Sequence, residues 1–339
     1  MKQALFWDTT DEGKIRCGLC PHGCQLAEGD VGRCHVRAVK NGELVAVGYG
    51  LIASAHVDPI EKKPLHHFYP GLDIFSIGSW GCNFACAFCQ NWSLSQQGAM
   101  KGHVYSPADV VSQAKASGGI GVAYTYNEPL VSYEFVYDCA TLARASGLRN
   151  VLVTNGYVSA LPAAQLLPLI DALNIDIKSM DDAFYTKQCR GHVRPVLDFA
   201  MQAVACGCHV EITNLVIPGL NDDDSLILSL AEWIATSLGV STPLHLSAYY
   251  PQYKLSVPAT SARQLEQARE HALKHLDYVY LGNTGSGVGQ DTVCPHCGNT
   301  LVTRKGYATC ISGIHAGGCS RCHHPVDMIT QDSRHHRRA

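Results

Sequence analysis

The sequence predicts an α/β fold, a partial (β/α)6-type barrel with small cysteine-rich additions at both ends. Three observations carry that expectation. Short apolar runs alternate with amphipathic helical patterns through the middle of the chain. The runs are rich in Val, Ile and Tyr and bounded by Gly, Pro or Asn, as buried strands are. Polar residues gather just after them, where a barrel builds its active site. Six or seven such units in about 210 residues give roughly 30–35 residues each, the size of a parallel βα repeat. A doubly wound sheet is the alternative.

Taken in order, residues 1–73 form an N-terminal extension. It carries the four-cysteine stretch "CGLCPHGCQLAEGDVGRC" (17–34) and one strand, "ELVAVGYG" (43–50). Residues 74–283 form the barrel. Its strands are "DIFSIGS" (73–79), "GVAYTY" (121–126), "NVLVTNG" (150–156), "LNIDIK" (173–178), "HVEITNLVI" (209–217), "PLHLSAYY" (243–250) and "YVYLGN" (278–283). Helix starts are marked by Ser106-Pro107 with Asp109 and by Ser261 with Gln264, each an N-cap followed by an acceptor three residues on. Gly147 and Gly207 stand where helices should stop. Residues 284–330 are rich in Gly, Cys and His and read as a zinc-ribbon-like segment. Residues 331–339 are a polar, solvated tail.

The chain has 339 residues, 46% hydrophobic and 16% charged, enough for a sizeable core. A formal net charge of −3 argues against a nucleic-acid binder. No apolar run reaches the about 18 residues that a membrane span needs. The opening residues hold too short an apolar run for a signal peptide. The 16 cysteines fall mainly into tight clusters, which suits metal centres in a reducing compartment, so a cytoplasmic location is expected.

"GCNFACAFCQNWS" (81–93) spaces Cys82, Cys86 and Cys89 so that a tight loop can wrap three corners of one cube. A [4Fe–4S] cluster held by three thiolates leaves one iron without a protein ligand. That iron can take the amino and carboxylate groups of S-adenosylmethionine, whose sulfonium bond an electron from the cluster then cleaves. Phe88 stands where it would shield the cluster from water. A three-cysteine zinc site completed by a histidine such as His103 is the plainer reading.

The chain also resembles the radical S-adenosylmethionine superfamily, in the branch around pyruvate formate-lyase activating enzyme. It looks closer still to AmmeMemoRadiSam system radical enzymes. "DPIEKKPLHHFYPG", "GCNFACAFCQNW", "AYTYNEP", "VTNGY", "NIDIK", "EITNLVIPGLND", "LHLSAYYPQYK" and "YVYLGN" carry the resemblance over about residues 15–330. It implies a [4Fe–4S] cluster, S-adenosylmethionine and an external one-electron donor. The family's Gly-Gly-Glu motif, which holds the methionine amine, aligns with Tyr126-Asn127-Glu128. Its Asp-Thr-Asn-Gly motif aligns with Val153-Thr154-Asn155-Gly156, so the first aspartate of a cation site is absent. Asp176 and Lys178 match the family's Asp-x-Lys, His245 a histidine near the nucleoside, and Ile217-Pro218-Gly219 the loop beside the adenine. Each has a structural alternative: Asp176 and Lys178 as an ion pair, His245 as a core histidine, Asn155-Gly156 as a turn, Asn127 as an N-cap.

Two cysteine clusters flank the barrel. "CPHC" (Cys294, Cys297) and "CSRC" (Cys319, Cys322) give four thiolates to one tetrahedral zinc, with a structural or docking role; disulfides are the alternative. Cys17, Cys20, Cys24 and Cys34 suit zinc or a second [4Fe–4S] cluster. Cys139, Cys189, Cys206 and Cys208 read as inert thiols. The expected reaction is reductive cleavage of S-adenosylmethionine. The radical then acts on an unidentified substrate, with Memo-like and AmmeMemoRadiSam partner proteins that the resemblance implies. Activation of a glycyl-radical enzyme and a non-catalytic iron–sulfur or zinc scaffold are the alternatives.

Overall fold

The structure is a computed structural model that describes residues 1–97, 101–285 and 287–331. All but the first residue of the expected polar tail lies outside the described residues.

The central sheet has eight strands: β1 (Ser54–Pro59), β2 (Asp73–Gly78), β3 (Gly121–Tyr124), β4 (Arg149–Thr154), β5 (Ala172–Asp176), β6 (His209–Val216), β7 (Leu244–Ala248) and β8 (Val279–Gly282). Strands β2 to β8 lie side by side in chain order and all pair in parallel. Each apolar run of the barrel region is therefore a strand. The parallel part is one strand longer than a six-unit barrel. The edge strand β1, which the sequence places inside the N-terminal extension, pairs antiparallel with β2 from Ser54↔Gly78 to Pro59↔Asp73. Strand β3 is buried at every position and β5 at all but Asp176. That double burial explains why these strands read as continuous apolar runs rather than alternating ones.

Between the strands lie α1 (Pro107–Ala116), α2 (Tyr133–Ala145), α3 (Ala160–Leu166), α4 (Arg194–Ala205), α5 (Asp224–Ser237) and α6 (Ala262–Ala272). Both expected capping boxes form: Ser106 with Asp109 opens α1 and Ser261 with Gln264 opens α6. Gly147 and Gly207 follow α2 and α4 with φ of +75° and +80°, the left-handed conformation that ends a helix at least cost on glycine.

The strand order ends at β1 on one side and β8 on the other, so the ring is open. Residues 60–72 and the C-terminal segment fill the gap. The Glu211 carboxylate, in mid-β6, accepts the backbone N–H groups of His66 (3.0 Å) and His67 (2.7 Å). Arg304, on the strand Thr300–Lys305, donates to the His66 carbonyl (2.8 Å) and to Thr292 Oγ1 (2.8 Å). Ile329 N–H donates to the His67 carbonyl at 2.8 Å, and Tyr69 N–H to the Ile329 carbonyl at 2.6 Å. The C-terminal segment is thus hydrogen-bonded into the barrel wall. At the other end, the strands between residues 2 and 46 form two small sheets, tied to α2 by the buried Arg37–Glu134 ion pair (2.9 Å). No helix among the described residues is long and apolar enough to cross a membrane.

Candidate active site

Strand β2 ends at Gly78, and the chain turns at once into the cysteine loop. Gly78 is required there, since a Cβ would lie 2.7 Å from the Tyr126 ring. The loop is held on several sides. Ala85 and Ala87 N–H groups donate to the carbonyls of Cys189 and Gln188 (both 2.9 Å), Lys254 N–H to the Ala87 carbonyl (2.9 Å), and Gln96 Nε2 to the Phe84 carbonyl (2.9 Å). Phe84 packs over Gly191, where a Cβ would sit 2.3 Å from its ring. Phe88 is buried against Phe184. Backbone conformation is fixed from outside the loop, so the three thiols are pre-positioned rather than gathered by a ligand.

Cys82, Cys86 and Cys89 open onto a cavity of about 900 Å³ at the C-terminal ends of the strands. Asn127, Glu128, Thr154, Asn155, Asp176, Lys178 and His245 line the same cavity. Pro218 does not: the turn at 217–221 is pulled back by Asn221, whose Oδ1 accepts Ile217 N–H at 2.6 Å and whose Nδ2 donates to the Lys178 carbonyl at 2.6 Å.

Glu128 is the most constrained of these groups. One oxygen accepts Thr154 Oγ1–H (2.6 Å) and Leu130 N–H (3.0 Å), the other Asn155 N–H (2.7 Å). A carboxylate offers about four lone-pair positions, so one remains for a donor in the cavity. Burial pushes the Glu128 carboxyl up to about 7, against the pull of those three hydrogen bonds. Glu128, rather than Asn127, caps the short helical turn that follows. Asn127 is turned to the cysteine loop instead: its Oδ1 accepts Ser79 N–H (2.9 Å) and its Nδ2 donates to the Gly81 carbonyl (3.0 Å).

Tyr126 stands where the related motif has glycine, and it adopts φ +73°. The strain is carried by partners. Its hydroxyl donates to Asp58, its carbonyl accepts Asn91 Nδ2–H (2.7 Å), and the Lys63 ammonium lies 4.8 Å from its ring centre. Asp58 also binds Lys62 (2.8 Å) and Lys63 (2.6 Å). Burial drags the Lys63 ammonium down to about 8, opposed by Asp58.

Asp176 and Lys178 form the ion pair of the structural alternative, at 2.7 Å, and both line the cavity. Burial opposes the Lys178 charge, but Asp176 and the Cys86 thiol outweigh it and hold the ammonium above its ordinary range. His245 donates to Glu211 at 2.6 Å and stacks on Tyr280, so its ring is fixed by the core while one side faces the cavity.

Sequence reasoning missed three groups here. Glu211, with His66, His67, His209 and His245 around it, builds the floor of the barrel. A carboxylate inside the apolar run "HVEITNLVI" was the available signal. Glu61 and His66 line the cavity, and Glu61 Oε2 and His66 Nδ1 are buried without a hydrogen-bond partner. Cys189, read as inert, is buried against Cys86; its hydrogen bond, more than the Lys178 charge, holds the Cys86 thiol below its ordinary range.

In the C-terminal segment, Cys294 and Cys322 are 3.7 Å apart at sulfur, as are Cys297 and Cys319. All four sulfurs lie within 4.8 Å of one another, and the group can hold a metal ion. Cys17, Cys20, Cys24 and Cys34 line a separate, smaller cavity.

Comparison with known proteins agrees with this geometry. The family model described as the Radical SAM superfamily matches residues 77–231. An uncharacterized protein of Methanocaldococcus jannaschii is 41% identical over 335 residues, 97% of this chain and 100% of that one. Pyruvate formate-lyase 1-activating enzyme of Escherichia coli is 27% identical over 165 residues, 45% of this chain and 65% of that enzyme. The crystal structure of a radical SAM methyltransferase from Sphaerobacter thermophilus shares the fold, with a TM-score of 0.50 at 16% identity over 69% of this chain and 71% of that one.

Proposed function

The chain belongs to the radical SAM superfamily, and from that premise we propose that it reductively cleaves S-adenosylmethionine in the barrel cavity. One observation carries the reading: three pre-positioned thiols share a cavity of about 900 Å³ with polar groups brought from the ends of several strands. Cys82, Cys86 and Cys89 would hold a [4Fe–4S] cluster, whose chemistry supplies the electron that releases a 5′-deoxyadenosyl radical. The one free acceptor position on Glu128 would receive an N–H of the methionine amine. Thr154 and Asn155 keep that carboxylate in place. Asn155 Nδ2 also reaches Cys82 Sγ (3.6 Å), a contact of the kind that tunes a cluster's potential. Asp176 and Lys178 present a carboxylate and an ammonium to the same space, and the fixed His245 ring offers a wall for the nucleoside.

The radical takes a hydrogen atom from a substrate that works with Memo-like and AmmeMemoRadiSam partner proteins, with an external one-electron donor in the cytoplasm. The motifs "YTYNEP", "VIPGLND" and "YYPQYK" support that choice over a glycyl-radical activase. So does coverage: the 41% relative spans both cysteine-rich ends, whereas the activating enzyme matches 45% of the chain. Zinc is the metal proposed for Cys294, Cys297, Cys319 and Cys322. Four Zn–S bonds of about 2.3 Å at tetrahedral angles put sulfurs about 3.8 Å apart, against 3.7 Å for two of the pairs here.

The test is anaerobic reconstitution followed by a dithionite assay for 5′-deoxyadenosine on wild type and Cys86→Ala. Product from wild type alone is expected. Wild-type protein with a full cluster and no deoxyadenosine would overturn the enzyme reading in favour of a scaffold. Radical transfer to a glycine of a glycyl-radical enzyme would favour the activase.

A further inference from the structure

The geometry points to a second iron–sulfur cluster, of the [4Fe–4S] type, held by Cys17, Cys20, Cys24 and Cys34 and seated against the loop that carries Cys82. The sequence leaves those four thiols between zinc and a cluster. Their arrangement separates the two.

Zinc draws four thiolates to about 3.8 Å from one another, which is how the C-terminal group is arranged, with sulfurs 3.7 Å apart in two pairs. Among the described residues the N-terminal thiols form no group gathered within 4.8 Å. They instead surround a void of about 20 Å³. That exceeds the roughly 10–15 Å³ one water needs, whereas a single ion at bonding distance from four sulfurs leaves no such space between them. A polynuclear core fills it; a single ion does not.

A second observation marks the void as a ligand site. Arg37 lines it, is 1% exposed, and has Nε and Nη1 buried without a hydrogen-bond partner. Its other nitrogen, Nη2, is taken by Glu134 and the Leu5 carbonyl. Buried guanidinium N–H groups are rarely left open, because an unpaired one forfeits its hydrogen bonds to water without replacement. Four thiolates around a [4Fe–4S] core carry net negative charge, and their sulfurs accept such N–H groups. Leu19, Leu26 and Val131 complete an otherwise apolar wall.

The two cysteine sites are in contact. Asn83, next to Cys82, lines the N-terminal void, its backbone carbonyl meets His22 Nε2 at 2.8 Å, and its Oδ1 accepts Asn155 Nδ2–H at 2.9 Å. Gly81 has φ +85°, and a Cβ there would lie 2.1 Å from the Cys34 carbonyl. Glycine therefore lets the backbone of one site press on the backbone of the other. None of this depends on what the large cavity binds.

The experiment uses the full-length chain, reconstituted anaerobically and analysed for iron and zinc, with electron paramagnetic resonance after reduction. About eight irons and one zinc per chain are expected. The triple variant Cys82→Ala/Cys86→Ala/Cys89→Ala should keep about four irons and a reduced-cluster signal that S-adenosylmethionine does not change. The variant Cys20→Ser/Cys24→Ser should lose that signal and keep the one that responds to S-adenosylmethionine. In wild type the two reduced clusters should broaden each other's signals. Four irons with two zincs in wild type, or an iron-free triple variant that retains two zincs, would overturn the inference. The triple variant leaves the N-terminal thiols intact, so the outcome stands even if the Cys20→Ser/Cys24→Ser protein fails to fold. Loss of deoxyadenosine formation with eight irons present would count against the cavity reading alone.

Discussion

Binding of S-adenosylmethionine should strengthen as pH rises through 7, and Glu128 should be the cause. Burial holds its carboxyl near 7 in the free site, so the group is mostly protonated below that pH. The carboxylate offers its remaining lone pair to an amine N–H, a position that the proton occupies in the neutral acid. With a pKa near 7 it is about one-tenth ionised at pH 6 and about three-quarters at pH 7.5, roughly an eightfold change in binding, or about 1.2 kcal/mol. The ligand's own amine, with a pKa of about 8, must also lose its proton to bind iron, a contribution common to wild type and variant. Glu128→Gln keeps the size of the side chain and removes the charge. It should weaken binding by about 1.5–3 kcal/mol at pH 7.5, the worth of a charged hydrogen bond, and remove the roughly eightfold part of the pH dependence that Glu128 contributes. Equilibrium dialysis of the cluster-loaded protein against labelled S-adenosylmethionine measures both. A slope as steep in Glu128→Gln as in wild type would refute the assignment.

Three further perturbations follow from the packing. Cys297→Ser, or a strong chelator, should release about one zinc and leave the C-terminal segment open to protease, since a structural zinc contributes about 10–16 kcal/mol of folding energy; unchanged resistance would count against a metal there. Asp58→Asn strands the Lys63 ammonium, which is 1% exposed, and should cost about 3–5 kcal/mol at pH 5 in urea unfolding. Lys63 is already depressed to about 8 in the folded state, and loss of Asp58 depresses it further, so the variant sheds the proton at lower pH and the deficit should shrink as pH rises towards 8 and level off above it; a pH-independent deficit below 8 would be the contrary result. Gly191→Ala pushes a Cβ to 2.3 Å from the Phe84 ring, and overpacking of that kind costs about 1–3 kcal/mol. The cysteine loop should shift, and iron per chain after reconstitution should fall; full iron retention would show that Phe84 does not position the loop.

The seven barrel strands and both capping boxes were legible in the sequence, because each is a local matter of burial pattern and hydrogen-bond chemistry within a few residues. The cysteine loop was legible for a related reason: the three cysteines proposed to hold one cluster fall within eight residues, from Cys82 to Cys89. The same locality exposed "CPHC" and "CSRC" as paired ligands, and the structure brings the two pairs to 3.7 Å. Groups whose meaning depends on a distant partner were not readable. Glu211 is one carboxylate in an apolar run until residues 66 and 67 fold across the barrel to it. Tyr126 reads as a departure from a glycine motif until Asp58, 68 positions earlier, is seen to hold it at φ +73°.

Sequence alone determined the alternation of elements and the identity of the three-thiol loop, since both are written in short-range spacing. Tertiary structure decided which polar side chains share a cavity, that Pro218 stands outside it, and that Cys189 lies beside Cys86. It also decided that the N-terminal thiols enclose a void while the C-terminal ones meet. Distances between groups far apart in the chain are set by how strands pair and helices pack, and no single stretch of residues encodes them.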